Sequence, residues 1–317
     1  MKRLIIALVA VLMVPTLAWA QGGESAGMIT EIKVGKGKVE VKSAGKPDRP
    51  AGPFLALRVG DSLRATDNAF AVVLLTGGRG TVKVEAANSP YTVAAGTPAE
   101  TKLQKAQTLV AGSVGFLSSQ AAEPPKAVLS VRAGAKPSVV LSPRNTAVLP
   151  GPITFEWLGT QFARYTVRVT DAAGATVLEK KGVVGAKFAY PADAPVLKSG
   201  TKYTLHVEPA TGAAQQATFE IVDANRAEVV RQNLREIVEA LGPKTSLNTV
   251  VAIQTCTLAE AGLLHDARLV VLAALAKDPD EPSLHTLLGQ LYQKSGLADQ
   301  AAESFDEAQF LLTKGAN

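Results

Sequence analysis

The chain has one cysteine, three histidines and two tryptophans in 317 residues, and aromatic side chains make up 5% of it. A single thiol, Cys256, cannot close an intramolecular disulfide, so the fold must rest on its apolar cores. So few cysteines and histidines exclude a Cys/His metal motif, and His206, His265 and His285 stand at spacings that match neither a metal site nor a catalytic triad. The glycine-rich stretches Gly35-Lys36-Gly37 and Gly77-Gly78-Arg79-Gly80 lack the Gly-Lys-Ser/Thr signature or a following helix, so they read as turns and not as phosphate loops. Asp278-Pro279-Asp280-Glu281 lacks the alternating ligands and central glycine of a calcium loop; it reads as a junction whose acids sit at the positive end of the next helix. Ala111-Gly112-Ser113-Val114-Gly115 imitates a nucleophile elbow, but Pro124-Pro125 follows where a helix is needed, and the stretch reads as a β-turn. Nucleic acid is disfavoured by the scarcity of aromatics and by the scatter of Lys33, Lys36, Lys38, Lys42 and Lys46 over strand edges and turns. No reaction, cofactor or metal is implied, and the expectation is a protein that is not an enzyme.

At the N-terminus, Lys2 and Arg3 precede an uncharged run from Leu4 to Leu17, and Ala18-Trp19-Ala20 places small residues where a signal peptidase reads. A secretory signal over residues 1–20, cleaved after Ala20, and a periplasmic location are therefore expected. Gln21 follows the cleavage point where a lipoprotein would need cysteine. No later stretch reaches the roughly 18 uncharged apolar residues of a span, so no membrane span is expected after cleavage. Lys and Arg against Asp and Glu give +4 for residues 21–120, +4 for 121–222 and −5 for 223–317. A basic β-rich part thus carries an acidic helical tail.

From residue 28 to 85, short runs of alternating apolar residues (Met28 to Val34, Val39 and Val41, Ser62 to Ala65, Phe70 to Leu75, Thr81 to Glu85) are punctuated by Gly60-Asp61, Asp67-Asn68 and Gly77-Gly78. Turn signals about every ten residues predict an all-β unit, which Leu109-Val110, Val114 to Phe116 and Val128 to Val131 extend. Val59-Gly60-Asp61-Ser62-Leu63, with Gly112-Ser113-Val114-Gly115-Phe116 and Val131-Arg132-Ala133, resembles a FecR-like domain over residues 27–134. Gly77-Gly78-Arg79 stands where that family commonly has Asp-Gly-Ser. The cytoplasmic anti-sigma segment of the family's envelope signalling members has no counterpart, so that activity is not implied.

Pro-rich linkers at Glu123 to Pro125 and Ala135 to Pro143 lead to a second β unit over residues 144–222. Six strands are predicted, at Ile153 to Trp157, Tyr165 to Val169, Thr176 to Glu179, Phe188 to Tyr190, Tyr203 to Val207 and Ala217 to Ile221, with a hairpin turn at Asp171 to Gly174. Leu197 to Val207 resembles the fibronectin type III pattern, which implies an immunoglobulin-like β-sandwich with a tyrosine hydroxyl, that of Tyr203, tied to the crossing loop and Trp157 as the buried aromatic.

The last 70 residues repeat at a period of 34: Gly262 on Gly296, Leu263 on Leu297, Ala267 on Ala301 and Ala274 on Ala308. His285, Leu288, Gly289, Tyr292, Ala301 and Phe305 follow W-x2-L-G-x2-Y…A-x3-F with histidine for tryptophan, so residues 248–281 and 282–315 resemble a tetratricopeptide repeat pair, an all-α unit over residues 224–315. A helix capped by Asn225 and ended by Gly242-Pro243 is predicted to cover its N-terminal end. The resemblance implies a concave face of Thr249, Ala252, Cys256 and Glu260, then Ser283, Thr286, Gln290 and Lys294. These small and polar residues suit a groove for a peptide of a protein partner; the competing reading buries the same face against the chain's own sandwich or a second copy. The sequence therefore reads as a multidomain, non-enzymatic envelope scaffold or adaptor that recruits a protein partner. The alternative is a module that binds peptidoglycan or another anionic glycan through the basic β units, with the helices only self-associating.

Overall fold

The computed structural model describes residues 25–96, 108–113, 117 and 139–314. The expected signal segment and the strands expected at 114–116 and 128–131 lie outside the described residues. A β-rich N-terminal part is followed by helices.

Strands β1 (Gly27–Lys33), β2 (Val39–Lys42), β3 (Arg49–Pro50), β4 (Ala56–Leu57), β5 (Ser62–Ala65), β6 (Phe70–Leu75), β7 (Thr81–Glu85) and β8 (Tyr91–Thr92) form the first unit. Two four-stranded sheets, ordered β4-β1-β6-β7 and β3-β2-β5-β8, enclose a core that includes Ile29, Ile32, Val41, Leu57, Leu63 and Val73. Every longer strand was legible from alternation; the two-residue strands β3, β4 and β8 are too short to show any. The hairpin at Gly77 and Gly78, both near φ +70°, presents Arg79 as a clamp. Its guanidinium donates to the carbonyls of Thr76, Ala94 and Ala26 at 3.0, 2.9 and 2.8 Å, tying the hairpin to both ends of the unit.

Residues 108–113 are helical (α1), which corrects both the strand expected at Leu109-Val110 and the β-turn expected from Ala111 onward. Two adjacent apolar residues carry no period that separates strand from helix. Here Leu109 and Val110 pack on the core of the C-terminal helices.

The second unit pairs a five-stranded sheet, β10-β16-β15-β12-β13, with a three-stranded one, β14-β11-β9. Its strands are β9 (Val139–Ser142), β10 (Thr146–Val148), β11 (Thr154–Leu158), β12 (Arg164–Asp171), β13 (Thr176–Val184), β14 (Lys187–Ala189), β15 (Thr201–Pro209) and β16 (Gln215–Ile221). All six predicted strands are present. β9 and β10 are additional, and β9 arises inside the stretch read as a linker, because Pro137 and Pro143 flank an apolar Val139-Val140-Leu141 run that fits a sheet edge. Trp157 and Phe155 are buried between the sheets, Trp157 with its ring 5.2 Å from that of Tyr165 and Phe155 with its ring 5.8 Å from that of Phe219. The Tyr203 hydroxyl accepts from the Lys198 N–H at 2.7 Å, the tie expected across that loop.

Helix α2 (Ala224–Leu241) is capped by Asp223, whose side chain accepts from Arg226 N, and not by Asn225; it ends at Gly242, φ +73°. Two antiparallel hairpins follow, α3 (Leu247–Glu260) with α4 (Leu264–Leu275) and α5 (Pro282–Lys294) with α6 (Ala298–Thr313). Their turns are built alike 34 residues apart. Gly262 and Gly296 sit at φ +76° and +75°, and the Leu263 and Leu297 N–H groups reach back to the Leu258 and Tyr292 carbonyls at 2.9 and 2.8 Å. That is a Schellman closure in both copies, with the following leucine buried in each. No described helix is long and apolar enough to cross a membrane.

Candidate functional site

Helices α3 and α5, which carry the face expected to receive a partner, pack against the chain's own strand β1, and Thr249 of that face meets it directly. Seven residues of almost unbroken burial, Gly-Met-Ile-Thr-Glu-Ile-Lys, mark β1 as a strand covered on both faces. Ile29 and Ile32 face the β core, whereas Met28 belongs to the core shared with the helices. The register against β6 shifts between Ile29 and Glu31, which makes Thr30 the extra residue of a β-bulge. A bulge re-aims the side chain it frees. Thr30 Oγ1 thus lies 2.7 Å from Thr249 Oγ1 and 3.3 Å from the Val72 carbonyl.

The hydroxyl order follows from that carbonyl, which can only accept. Thr30 donates to Val72, so Thr249 must donate to Thr30, and Thr249 in turn accepts from Ser246 Oγ at 2.9 Å. Ser246 is the N-cap of α3, its oxygen accepting from the Thr249 N–H. One directional chain of hydroxyls thus runs from a helix cap to a strand carbonyl.

A second set of contacts closes the side of β1 that lies beyond its short pairing with β4. Glu281, the N-cap of α5, accepts from Ile32 N and from Ser283 N at 3.1 Å through the same oxygen, Oε1. A capped edge cannot recruit another strand. Lys33 Nζ pairs with Asp278 Oδ1 at 2.7 Å while Asn248 donates to Asp278 Oδ2 at 3.0 Å. Burial alone would lower the lysine's pKa, but Asp278 and the charges of Glu281 and Glu31 outweigh it and raise it. For Glu281 burial is the largest effect, and with Glu31 nearby it pushes the carboxyl up to about 7 against the two N–H donors. Glu281 Oε2 and Glu31 Oε2 are buried without a hydrogen-bond partner.

Of the eight residues expected on the concave face, Thr249, Ala252, Cys256, Ser283 and Gln290 are buried. Thr286 is half-buried, and its hydroxyl donates to the Pro282 carbonyl at 2.9 Å. Glu260 and Lys294 stay exposed, close enough for the lysine to oppose the rise that burial imposes on the Glu260 carboxyl. Cys256 is buried, and burial drives its thiol well above its usual range. The five buried residues are not open to a peptide, and the contact Thr249 makes is with β1 of the first unit, not with the sandwich. The sequence signal for the packing on β1 is the polar pair Thr30 and Glu31 inside the apolar run of β1, together with the acids of Asp278 to Glu281.

The sandwich grips the opposite flank. Arg268 of α4 pairs with Glu156 of β11 at 2.8 Å, the two side chains 9% and 11% exposed. The guanidinium lies 5.6 Å from the Tyr292 ring and Nε donates to its hydroxyl at 3.3 Å. Burial would raise the Glu156 carboxyl, but Lys187 at 2.9 Å and Arg268 hold it below its ordinary value. Ser142 Oγ lies 2.7 Å from His265 Nδ1, both groups buried. Burial, helped by Arg268, lowers the imidazole to about 4, so it is neutral at pH 7. The Ala147 N–H donates to the Gly262 carbonyl, and the Leu149 N–H to Asp266 Oδ2, at 3.0 and 3.1 Å.

No family model matches the chain. Among the described residues no group of three or more His, Cys, Asp or Glu is placed to hold a metal ion.

Proposed function

We propose that the chain is a non-enzymatic scaffold of the cell envelope, in which a FecR-like β unit and an immunoglobulin-like sandwich are held in one orientation by a tetratricopeptide-like pair of helical hairpins. The single observation that carries this reading is that the helices are pinned on both flanks by buried polar contacts, Thr30 with Thr249 on one side and Glu156 with Arg268 on the other. Such contacts are directional, and they fix orientation in a way that apolar packing does not. The 34-residue recurrence of the glycine turns supports the repeat assignment, and the Tyr203 tie supports the sandwich assignment. The apolar start of the chain supports export to the periplasm. In this reading the repeat face that other pairs offer to a peptide has been turned inward as a spine. A protein partner meets the rim that β1 leaves open, where Glu260 and Lys294 are exposed.

The test is a distance measurement. Spin labels at Lys36→Cys on the first unit and Lys202→Cys on the second, in a Cys256→Ala background, are expected to give one narrow distance distribution in the full chain. A broad distribution would remove the scaffold reading.

A further inference from the structure

We propose that the groove at the β3 edge of the β3-β2-β5-β8 sheet is a binding site for an anionic glycan, with Lys46, Arg49 and Arg58 taking its carboxylate or phosphate groups. The groove lies between the loop that follows β2 and the β4–β5 turn and is lined by Ser43, Lys46, Arg49, Arg58, Val59 and Asp61, among others. Its open volume is about 260 Å³. That is below the roughly 300–1,000 Å³ of a pocket that encloses a small molecule. A surface groove of this size holds one charged group and the sugar that bears it while the rest of a polymer continues across the surface.

Three basic side chains meet on this one lining. Lys33, Lys38, Lys83, Lys181 and Lys187 each have a carboxylate within 3.4 Å. Among the described residues, Lys46, Arg49 and Arg58 have none, although all three are exposed. The one carboxylate of the lining, Asp61, is buried and accepts from the Arg58 N–H at 2.8 Å, so it shapes the turn that carries Arg58. Lys42, on an outward position of β2, lies on the same sheet, whereas Arg64 of β5 faces Glu40 across the strand pair. Two guanidinium forks suit planar or tetrahedral oxyanions, which they hold by paired hydrogen bonds. Val59, 55% exposed at the groove wall, offers an apolar contact to the face of a sugar ring.

This site is independent of the scaffold reading, which its failure would leave intact. Fluorescence anisotropy of labelled oligogalacturonate, titrated with the full chain at low and at high salt, is the measurement. Saturable binding that weakens with salt is expected. The triple variant Lys46→Ala/Arg49→Ala/Arg58→Ala should lose at least about tenfold in affinity, the equivalent of one charge-assisted contact. Lys198→Ala/Lys202→Ala/Lys244→Ala removes the same charge from the rest of the surface and should change affinity less than about twofold. Circular dichroism checks that both variants keep the fold. Equal losses in the two variants would overturn the site in favour of diffuse charge. So would the absence of binding by the unaltered chain, or preferential binding to phosphatidylglycerol vesicles, which would indicate a lipid surface instead.

Discussion

Thr30 and Thr249 stand 219 positions apart in the sequence, yet their hydroxyl oxygens are 2.7 Å apart and sealed from solvent. Because the proton order runs from Ser246 through Thr249 and Thr30 to Val72, removing the middle hydroxyl strands an acceptor on one side and a donor on the other. Thr249→Val keeps the volume and should cost about 1–2 kcal/mol in urea unfolding. The double variant Thr30→Val/Thr249→Val should cost less than the sum of the two single changes. Strict additivity would mean that the two hydroxyls do not interact.

Glu281 gives the same interface a pH dependence with a definite sign. Its folded-state pKa of about 7 lies above the ordinary 4.5, so the folded chain holds an extra proton between those values. Stability therefore falls as pH rises through about 4.5 to 7 and the full penalty remains above 7, on the order of 3 kcal/mol. Asp266, raised to about 6, acts in the same direction, whereas His265, lowered to about 4, acts in the opposite one. The net profile is thus partly cancelled, and the informative quantity is a difference. Glu281→Gln keeps an acceptor for Ile32 and Ser283 but does not titrate. Relative to the parent it should gain stability from pH 5 to about pH 7 and level off above that. A constant offset across that range would show that Glu281 does not titrate there.

Alternation made the longer strands legible, because their apolar spacing follows the backbone period, and the 34-residue recurrence made the four helices of the two hairpins legible. Less legible was what each surface would meet. The small and polar residues Thr249, Ala252, Ser283 and Gln290 have the composition of an accessible groove, and an adjoining strand from the same chain needs the same composition to approach closely. Nothing local in those helices distinguishes the two. The distinguishing residues lie in β1, where Thr30 and Glu31 interrupt an apolar run, and in Lys33, which was read as a solvated edge lysine but pairs with Asp278. Glu156 was similarly unremarkable inside its strand until Arg268 was placed beside it. The basic groove was also hidden, since Lys46, Arg49 and Arg58 converge only when the loop after β2 meets the β4–β5 turn.

Arg268 and Glu156 separate an ion pair that is costly to break from one that is costly to lack. Arg268→Met leaves Glu156 buried with Lys187 alone and should destabilise the chain by about 3 kcal/mol. Replacing both partners, Arg268→Met with Glu156→Met, should recover most of that loss, since no uncompensated charge remains. Thermal unfolding of the three variants checks this. A double variant no better than the single one would mean that packing, and not charge, sets the cost.

Gly289 tests whether the second hairpin depends on a missing side chain. It lies in the interior of α5, where alanine would ordinarily add about 1 kcal/mol of helix stability. A methyl group there, however, would come within 2.7 to 2.9 Å of three atoms of the Phe305 ring on α6. Relieving that overlap costs about 1–3 kcal/mol. The first hairpin shows how the fold accommodates a side chain at this place. Thirty-four residues earlier the equivalent pair is Thr255 and Val271, a larger residue opposite a smaller one, both buried. Gly289→Ala should therefore lower the melting temperature, and adding Phe305→Val should restore part of it. If Gly289→Ala alone raised the melting temperature, the ring would be free to move away. The close approach of α5 and α6 would then not be what holds the hairpin together.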